Sequence, residues 1–409
     1  MALLYLMVQL GAGPKKVHND TYDYARITYG LLGKSSSSAK DAAVRMLCRD
    51  AAHRAEITRS MDPLLMTEPG AGATTQRRCI EDTDTVLAHR SPRYDAIFDA
   101  RPGYPWVASL FARLLGVHLA LWAASLVFTI ASAAVALLIL ARLGLSPGAC
   151  LAGAALFLTL PTGAVSTEML SEGAMLWGTL VVLLGSVALL QTRVRTGLLL
   201  ASAGYAALFA IKSSQGLLLA VLETAAAVAT FCWVTEARHR GVKWLATASA
   251  CAAVSIASLT ALMGAPGANE SVQDTFTGHF QNPDVTDPWA RLVTLNLHYW
   301  PVWLREQTTQ PLFVISLCVA VGAMVVWRRR DALVVTAAAL TGLATAASHP
   351  LATQVDRLMA PLWLLVVLGL LVAMHGITRR APHPPSDGLP ATSAVPRPSS
   401  ETAGTAVAG

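Results

Sequence analysis

The stretch VHLALWAASLVFTIASAAVALLILAR (residues 117–142) runs from 117 to 141 without an Asp, Glu, Lys or Arg, and closes on Arg142. A bilayer core about 30 Å thick takes roughly 20 apolar helical residues, so this segment is long enough to span one. Backbone polar groups in lipid must pair within the segment, which makes it a helix. Working outward, further apolar runs lie near 146–162, 172–191, 197–214, 215–234, 244–263, 311–327, 332–348 and 358–376. The expected fold is an all-α membrane protein with about nine complete transmembrane helices. Residues 1–12 (MALLYLMVQLGA) read as a partial first helix, the outer end of a truncated span. They lack the basic start and small-residue cleavage site of a signal peptide.

Composition agrees. Of 409 residues, 54% are hydrophobic and 14% charged, with a mean hydropathy of +0.49. Soluble domains carry about 25% charged residues. The net charge of +6 comes without a basic stripe interleaved with aromatics, so nucleic acid is not an expected partner.

The cations set the orientation. Arg142, Arg193, Arg195, Arg238, Arg240, Lys243, Arg328, Arg329, Arg330, Arg379 and Arg380 occupy every second gap between spans; the other short gaps hold only Lys212, Arg291, Arg305 and Arg357. Short cytoplasmic loops retain Lys and Arg, so the first set is expected inside and the second outside. The resulting organisation is an extracytoplasmic loop with short interfacial helices at 13–116, transmembrane helices at 117–263, a second extracytoplasmic loop at 264–310, transmembrane helices at 311–376, and a disordered cytoplasmic tail at 377–409. Within the first loop, 41–59 reads as a helix, 67–75 as a loop, and 91–104 as a Pro-punctuated return to the membrane. Residues 106–116 read as an amphipathic interfacial piece. Cys48 and Cys79 are the two cysteines of that loop, and an oxidised pair there is one reading.

Chemistry is therefore sought on the outer side. The loop opens HNDTYDYARITYGLLG from His18, placing Asp20 and Asp23 close to the membrane exit. Asp20 can simply cap the following helix; a carboxylate there can also accept a proton from a hydroxyl nucleophile. Lys212 and Arg357 fall at outer span ends, where a charge either snorkels or serves a ligand. Glu168 and Glu172 (TEMLSEG) can orient an acceptor, hold a divalent cation or cap a helix. The histidines lack ligand spacing, so no metal site is expected from them. No cofactor is fixed by the residues.

The order of these features resembles the GT-C superfamily of polytopic membrane glycosyltransferases. Asp20 and Tyr24 are followed by an Ala/Leu-bearing helix ending in Gly, and Arg101-Pro102-Gly103-Tyr104-Pro105 closes the loop. Pro161, Ser171-Glu172 and Asp356-Arg357-Leu358-Met359 then stand in matching places, from about residue 18 to 376. The resemblance implies transfer of a sugar, with inversion, from a polyprenyl-phosphate donor to an extracytoplasmic glycan, lipid or protein hydroxyl. It implies Asp20, Asp23 and Glu172 as catalytic residues, and Lys212, Arg357, Arg101, Tyr104 and Glu168 as substrate-binding ones. The Asp-Glu pair of protein O-mannosyltransferases is absent at 20–21, which speaks against the protein-modifying branch. Ala, Arg, Gly and Pro richness suggests a GC-rich bacterial source. By resemblance, an actinobacterial plasma membrane with mannose or arabinose donors follows. A multi-span transporter or lipid flippase, and a non-catalytic membrane scaffold, are the competing readings.

Overall fold

The structure, a computed structural model, describes residues 1–15, 17–62, 64, 70–88, 90–234, 240–309 and 311–380. The expected tail from 381 onward, and residues 65–69 of the expected loop, lie outside that set.

Six helices precede the first long span: α1 (Ala2–Ala12), α2 (Asn19–Leu31), α3 (Ser36–Met61), α4 (Ala71–Ala88), α5 (Pro92–Asp99) and α6 (Gly103–Leu115). Then come α7 (Val117–Arg142), α8 (Pro147–Thr159), α9 (Pro161–Ser166), α10 (Glu172–Leu190), α11 (Val194–Trp233) and α12 (Arg240–Leu262). The second polar region carries α13 (Ala268–Thr277) and α14 (Pro288–Thr309). The chain finishes with α15 (Leu312–Trp327), α16 (Arg329–Ser348), α17 (Val355–Leu358), a 3-10 turn at Ala360–Leu362 and α18 (Trp363–Arg380). No strand occurs among the described residues. Local sequence explains several starts. Ser35, Ser91 and Ser146 accept backbone N–H bonds at the heads of α3, α5 and α8, and Pro92, Pro147 and Pro161 sit in first turns where their missing N–H costs nothing.

Among the described residues, six helices are long and apolar enough to cross a bilayer, counting α11 once, or seven if α14 and α15 form one bent span. The all-helical membrane fold is thus seen, but not the count of nine separate spans. Residues 146–162 form only the 13-residue α8 before Pro161 starts a new turn. Residues 311–327 form a 16-residue helix, and 197–214 with 215–234 form one 40-residue element, α11. That element is not straight. Lys212 is extended (φ −162°, ψ 82°). A Cβ on Gly216 would lie 3.1 Å from that of Leu208, whereas eight residues of straight helix advance about 12 Å. The chain doubles back at Lys212, making α11 a helical hairpin whose two arms are the two expected runs, 197–214 and 215–234.

The core of the bundle is α10. Every residue from Glu172 to Leu190 except Trp177 is buried, as an all-round apolar helix requires. Its packing against α11 depends on small residues. A Cβ on Gly185 would sit 2.6 Å from the Ala201 nitrogen, and one on Gly204 2.8 Å from that of Val182. Such close backbone approach is a recurrent mode of membrane-helix packing.

The two ends of the bundle differ in charge. At one end Gln191 donates to the Arg142 carbonyl at 2.7 Å, and the Arg328 guanidinium borders Gly144. At the other end lie Asp20, Glu172, Lys212 and Arg357. Arg142 and Arg328 of the expected inner set thus lie at the end opposite Lys212 and Arg357 of the expected outer set.

The described residues of the polar 13–116 region are helical almost throughout. Expected helix 41–59 is the core of α3, while residues 71–75 belong to α4 rather than to a loop. The 91–104 return contains α5 and the start of α6. Cys48 and Cys79 are disulfide-bonded with Cα atoms 5.4 Å apart, across a sequence separation of 31. Closing a loop of that size contributes about 3.5 kcal/mol in the chain-entropy treatment. Of the four cysteines outside this bond, Cys232, Cys251 and Cys318 are exposed and Cys150 is buried.

With those four replaced, a cysteine at Ser37 is expected to react with a membrane-impermeant maleimide on intact cells. One at Thr192 should react only after permeabilisation. The opposite pattern overturns the orientation.

Candidate functional site

The site is assembled at the bundle end where α2, α10, α11 and α17 converge. His18 caps α2 through a reciprocal pair of bonds with Thr21, whose hydroxyl donates on to the Met169 carbonyl at 3.1 Å. This fixes the first turn, and Asp20 with it, beside the turn preceding α10. Tyr24, one helical turn later, is fully buried, and its hydroxyl lies 2.7 Å from the Ser171 hydroxyl.

Arg357 joins the pieces. Its Nη1 is 3.1 Å from Asp20 Oδ2, and its Nε is 3.3 Å from Glu172 Oε1. The Nε contact lacks hydrogen-bond alignment, so Glu172 is held by charge. Glu172 is 4% exposed, and its Oε2 is buried without a hydrogen-bond partner. The Asp20 side chain is 26% exposed, so Asp20 is the carboxylate that a ligand can reach. Glu172, first in α10, pushes the Arg357 guanidinium above its ordinary range, with burial opposing.

Lys212 stands at the hairpin tip of α11, within electrostatic reach of Glu172, Arg101, Arg357 and Asp20. It forms no ion pair within 4 Å of a described residue. Arg101 is half-buried, stacked 5.6 Å from the Phe98 ring centre. Gly103, two residues on, lies against the tip: a Cβ there would fall 3.0 Å from the Ala210 carbonyl. Only glycine lets α6 approach so closely. Three cations therefore face two carboxylates, leaving one positive charge in excess.

Three sequence-predicted residues are placed elsewhere. Asp23 is completely buried and is bound by Arg90 and, at 3.7 Å, by Arg26. Burial pushes its carboxyl up to about 6, with Arg90 opposing. It serves to join α2 to the segment before α5. Tyr104 is fully buried, with its hydroxyl donating to the Leu121 carbonyl at 2.8 Å beside Ser125 at 2.9 Å. It packs α6 on α7 and touches no open space. Glu168 pairs with His18 Nε2 at 3.4 Å, away from the Arg357 cluster. Among the described residues no group of three or more His, Cys, Asp or Glu side chains is placed to hold a metal ion.

Other residues at the site escaped sequence reasoning. His349, just past α16, is flanked by the Ser271 hydroxyl at 3.1 Å and the Thr275 hydroxyl at 2.7 Å of α13. Burial, then Lys212, pulls its imidazole down to about 4. His279 stacks on Tyr94 at 4.4 Å, and Arg93 pairs with Glu270 and Asp284, tying the second polar region to α5. Hydrogen bonding to Asp274 raises the His279 imidazole. Beside His349, an apolar cavity of about 690 Å³ runs between α14 and the end of α16. Trp289, Leu297, Trp300, Ala344, Ala347 and Ser348 are among its lining residues.

Compared with known proteins, the chain matches no protein family, no curated sequence and no solved structure.

His349 makes the α13–α16 contact acid-sensitive. Between about pH 6.5 and 4 the unfolded imidazole binds a proton that the folded one does not, so stability falls as pH drops. The loss by pH 5 is roughly 2 kcal/mol. Thermal unfolding in detergent should show this slope, and His349→Gln should flatten it; an unchanged slope assigns the effect to other groups.

Proposed function

We propose that the chain is a membrane glycosyltransferase moving a sugar from a polyprenyl-phosphate donor to an extracytoplasmic hydroxyl. The observation that carries this reading is the Asp20–Arg357–Glu172 cluster, with Lys212 and Arg101 beside it. A reachable carboxylate and surplus cations stand together there, and a separate apolar cavity lies between α14 and α16. In this reading the acceptor oxygen attacks the anomeric carbon as the carbon–oxygen bond to phosphate breaks. Asp20 takes the hydroxyl proton, and the lipid phosphate leaves with the bonding pair. Arg357, Lys212 and Arg101 balance the charge on that phosphate, where preorganised cations favour the transition state. Glu172 holds Arg357 in place. The cavity along α14 and α16 suits an isoprenoid chain, and the exposed Trp289, Val293, Leu297, Val302 and Leu304 of α14 suit a lipid interface. A bacterial plasma membrane is the setting, with mannose or arabinose as candidate sugars.

One feature favours the transport reading instead. Glu223 of α11 is fully buried, with its carboxyl near the Ser186 hydroxyl of α10 and no countercharge among the described residues within 4 Å. Carboxyls so placed in membranes often mark ion paths. Uptake of solute by proteoliposomes, abolished by Glu223→Gln and unaccompanied by glycan formation, would support it.

The discriminating variant is Asp20→Asn, because Arg357→Gln would leave Glu172 buried without its countercharge, a loss of about 3–5 kcal/mol. Transfer from radiolabelled polyprenyl-phosphate mannose or arabinose is expected to fall about 100-fold or more in Asp20→Asn, with unfolding temperature unchanged. Equal turnover in the variant rejects the assignment.

A further inference from the structure

A second basic pocket lies at the other end of α2. α2 ends at Leu31, and the backbone turns through Gly33 at φ 89°. Lys34 thereby returns over Tyr29: its backbone N–H donates to the Tyr29 carbonyl at 3.2 Å, and its Nζ sits 5.0 Å from the ring centre. Arg45 and Arg49 of α3 are one helical turn apart, hence on one face, and both lower the Tyr29 phenol against the effect of its burial. Buried Ala42 and Met46 complete the lining of a pocket of about 200 Å³.

The charges here are uncompensated. Other cations of α3 have carboxylate partners: Lys40 has Asp95, Arg54 has Asp50 and Arg59 has Glu56. Lys34, Arg45 and Arg49 have no ion pair within 4 Å among the described residues, although Asp41 lies one turn before Arg45 on the same helix. Three like charges around one phenol repel one another, and an anion among them removes that repulsion. At about 30 Å³ per water, the pocket holds six or seven waters, enough for one tetrahedral oxyanion with part of its hydration shell. Two guanidinium forks match its oxygens in pairs, and the Tyr29 hydroxyl can add a donor.

We propose that this pocket binds a phosphate group, borne by a lipid headgroup or by a soluble phosphate compound. It is separate from the Asp20 cluster, since nine residues of α2 put Tyr29 about 13 Å further along the helix. The proposal therefore stands whether or not the chain transfers sugar.

The test uses the full chain in detergent with its disulfide intact. Inorganic phosphate and short-chain phosphatidylglycerol are titrated separately by calorimetry, with short-chain phosphatidylcholine as the zwitterionic reference. Saturable binding of phosphate or phosphatidylglycerol is expected, weakened at least tenfold in Arg45→Gln/Arg49→Gln and reduced by added salt. Arg77→Gln/Arg78→Gln removes the same charge from exposed positions on α4 and should bind as the parent does. Tighter binding of phosphatidylglycerol than of phosphate assigns the headgroup source; comparable or tighter phosphate binding assigns the soluble one. The proposal is overturned if neither probe saturates, if phosphatidylcholine binds as well as phosphatidylglycerol, or if the two double variants behave alike. Arg49→Lys keeps the charge but loses the fork, and its intermediate affinity would separate geometry from net charge.

Discussion

A single guanidinium, that of Arg357, draws together parts of the chain more than 150 residues apart. Its partners are Asp20 at the start of α2 and Glu172 at the start of α10. Glu172 occupies the position where the helix macrodipole favours negative charge, yet it is buried in the bundle. An ion so placed requires a fixed partner, and that requirement locates α17 against α10. Asp20 then brings the whole N-terminal helical unit to the same bundle end.

The hairpin of α11 supplies the other half of the arrangement. Reversal at Lys212 leaves that side chain at the tip, next to the Arg357 cluster, and the tip is reached by α6 only through Gly103. The same feature explains why 197–214 and 215–234 are readable as two apolar runs although the structure joins them as one element. Lys212 was legible because a charge between two such runs stands out. Arg357 stood out for the same reason, as a cation at a span end, and Glu172 through its place in the Ser171-Glu172 motif.

What the sequence could not resolve is the choice of partner. Asp20 and Asp23 sit three residues apart on one helix, and nothing local says that one faces Arg357 and the other Arg90, 67 positions downstream. Glu168 and Glu172 are four apart but belong to different environments, because the chain breaks between α9 and α10. Tyr104 lies in a motif-like stretch at the loop's end, yet its burial against Leu121 and Ser125 depends on how α6 meets α7. His349 carries no spacing signal at all; its role comes from Ser271 and Thr275, on a helix some 75 residues upstream. The count of nine is not reproduced where helices are shorter than their apolar runs, as where Pro161 interrupts one of them.

The Cys48–Cys79 bond bears on how the chain matures. Thiols of this kind stay reduced beside the glutathione pool of a cytosol and join in oxidising surroundings. If residues 13–116 lie on the outer side, as the cation pattern implies, the α3–α4 pair is locked only after that stretch of polypeptide has been exported. Completion of the N-terminal unit would then be timed by secretion, and a host lacking a thiol oxidase on the far side would yield inserted molecules whose outer helices remain unfastened.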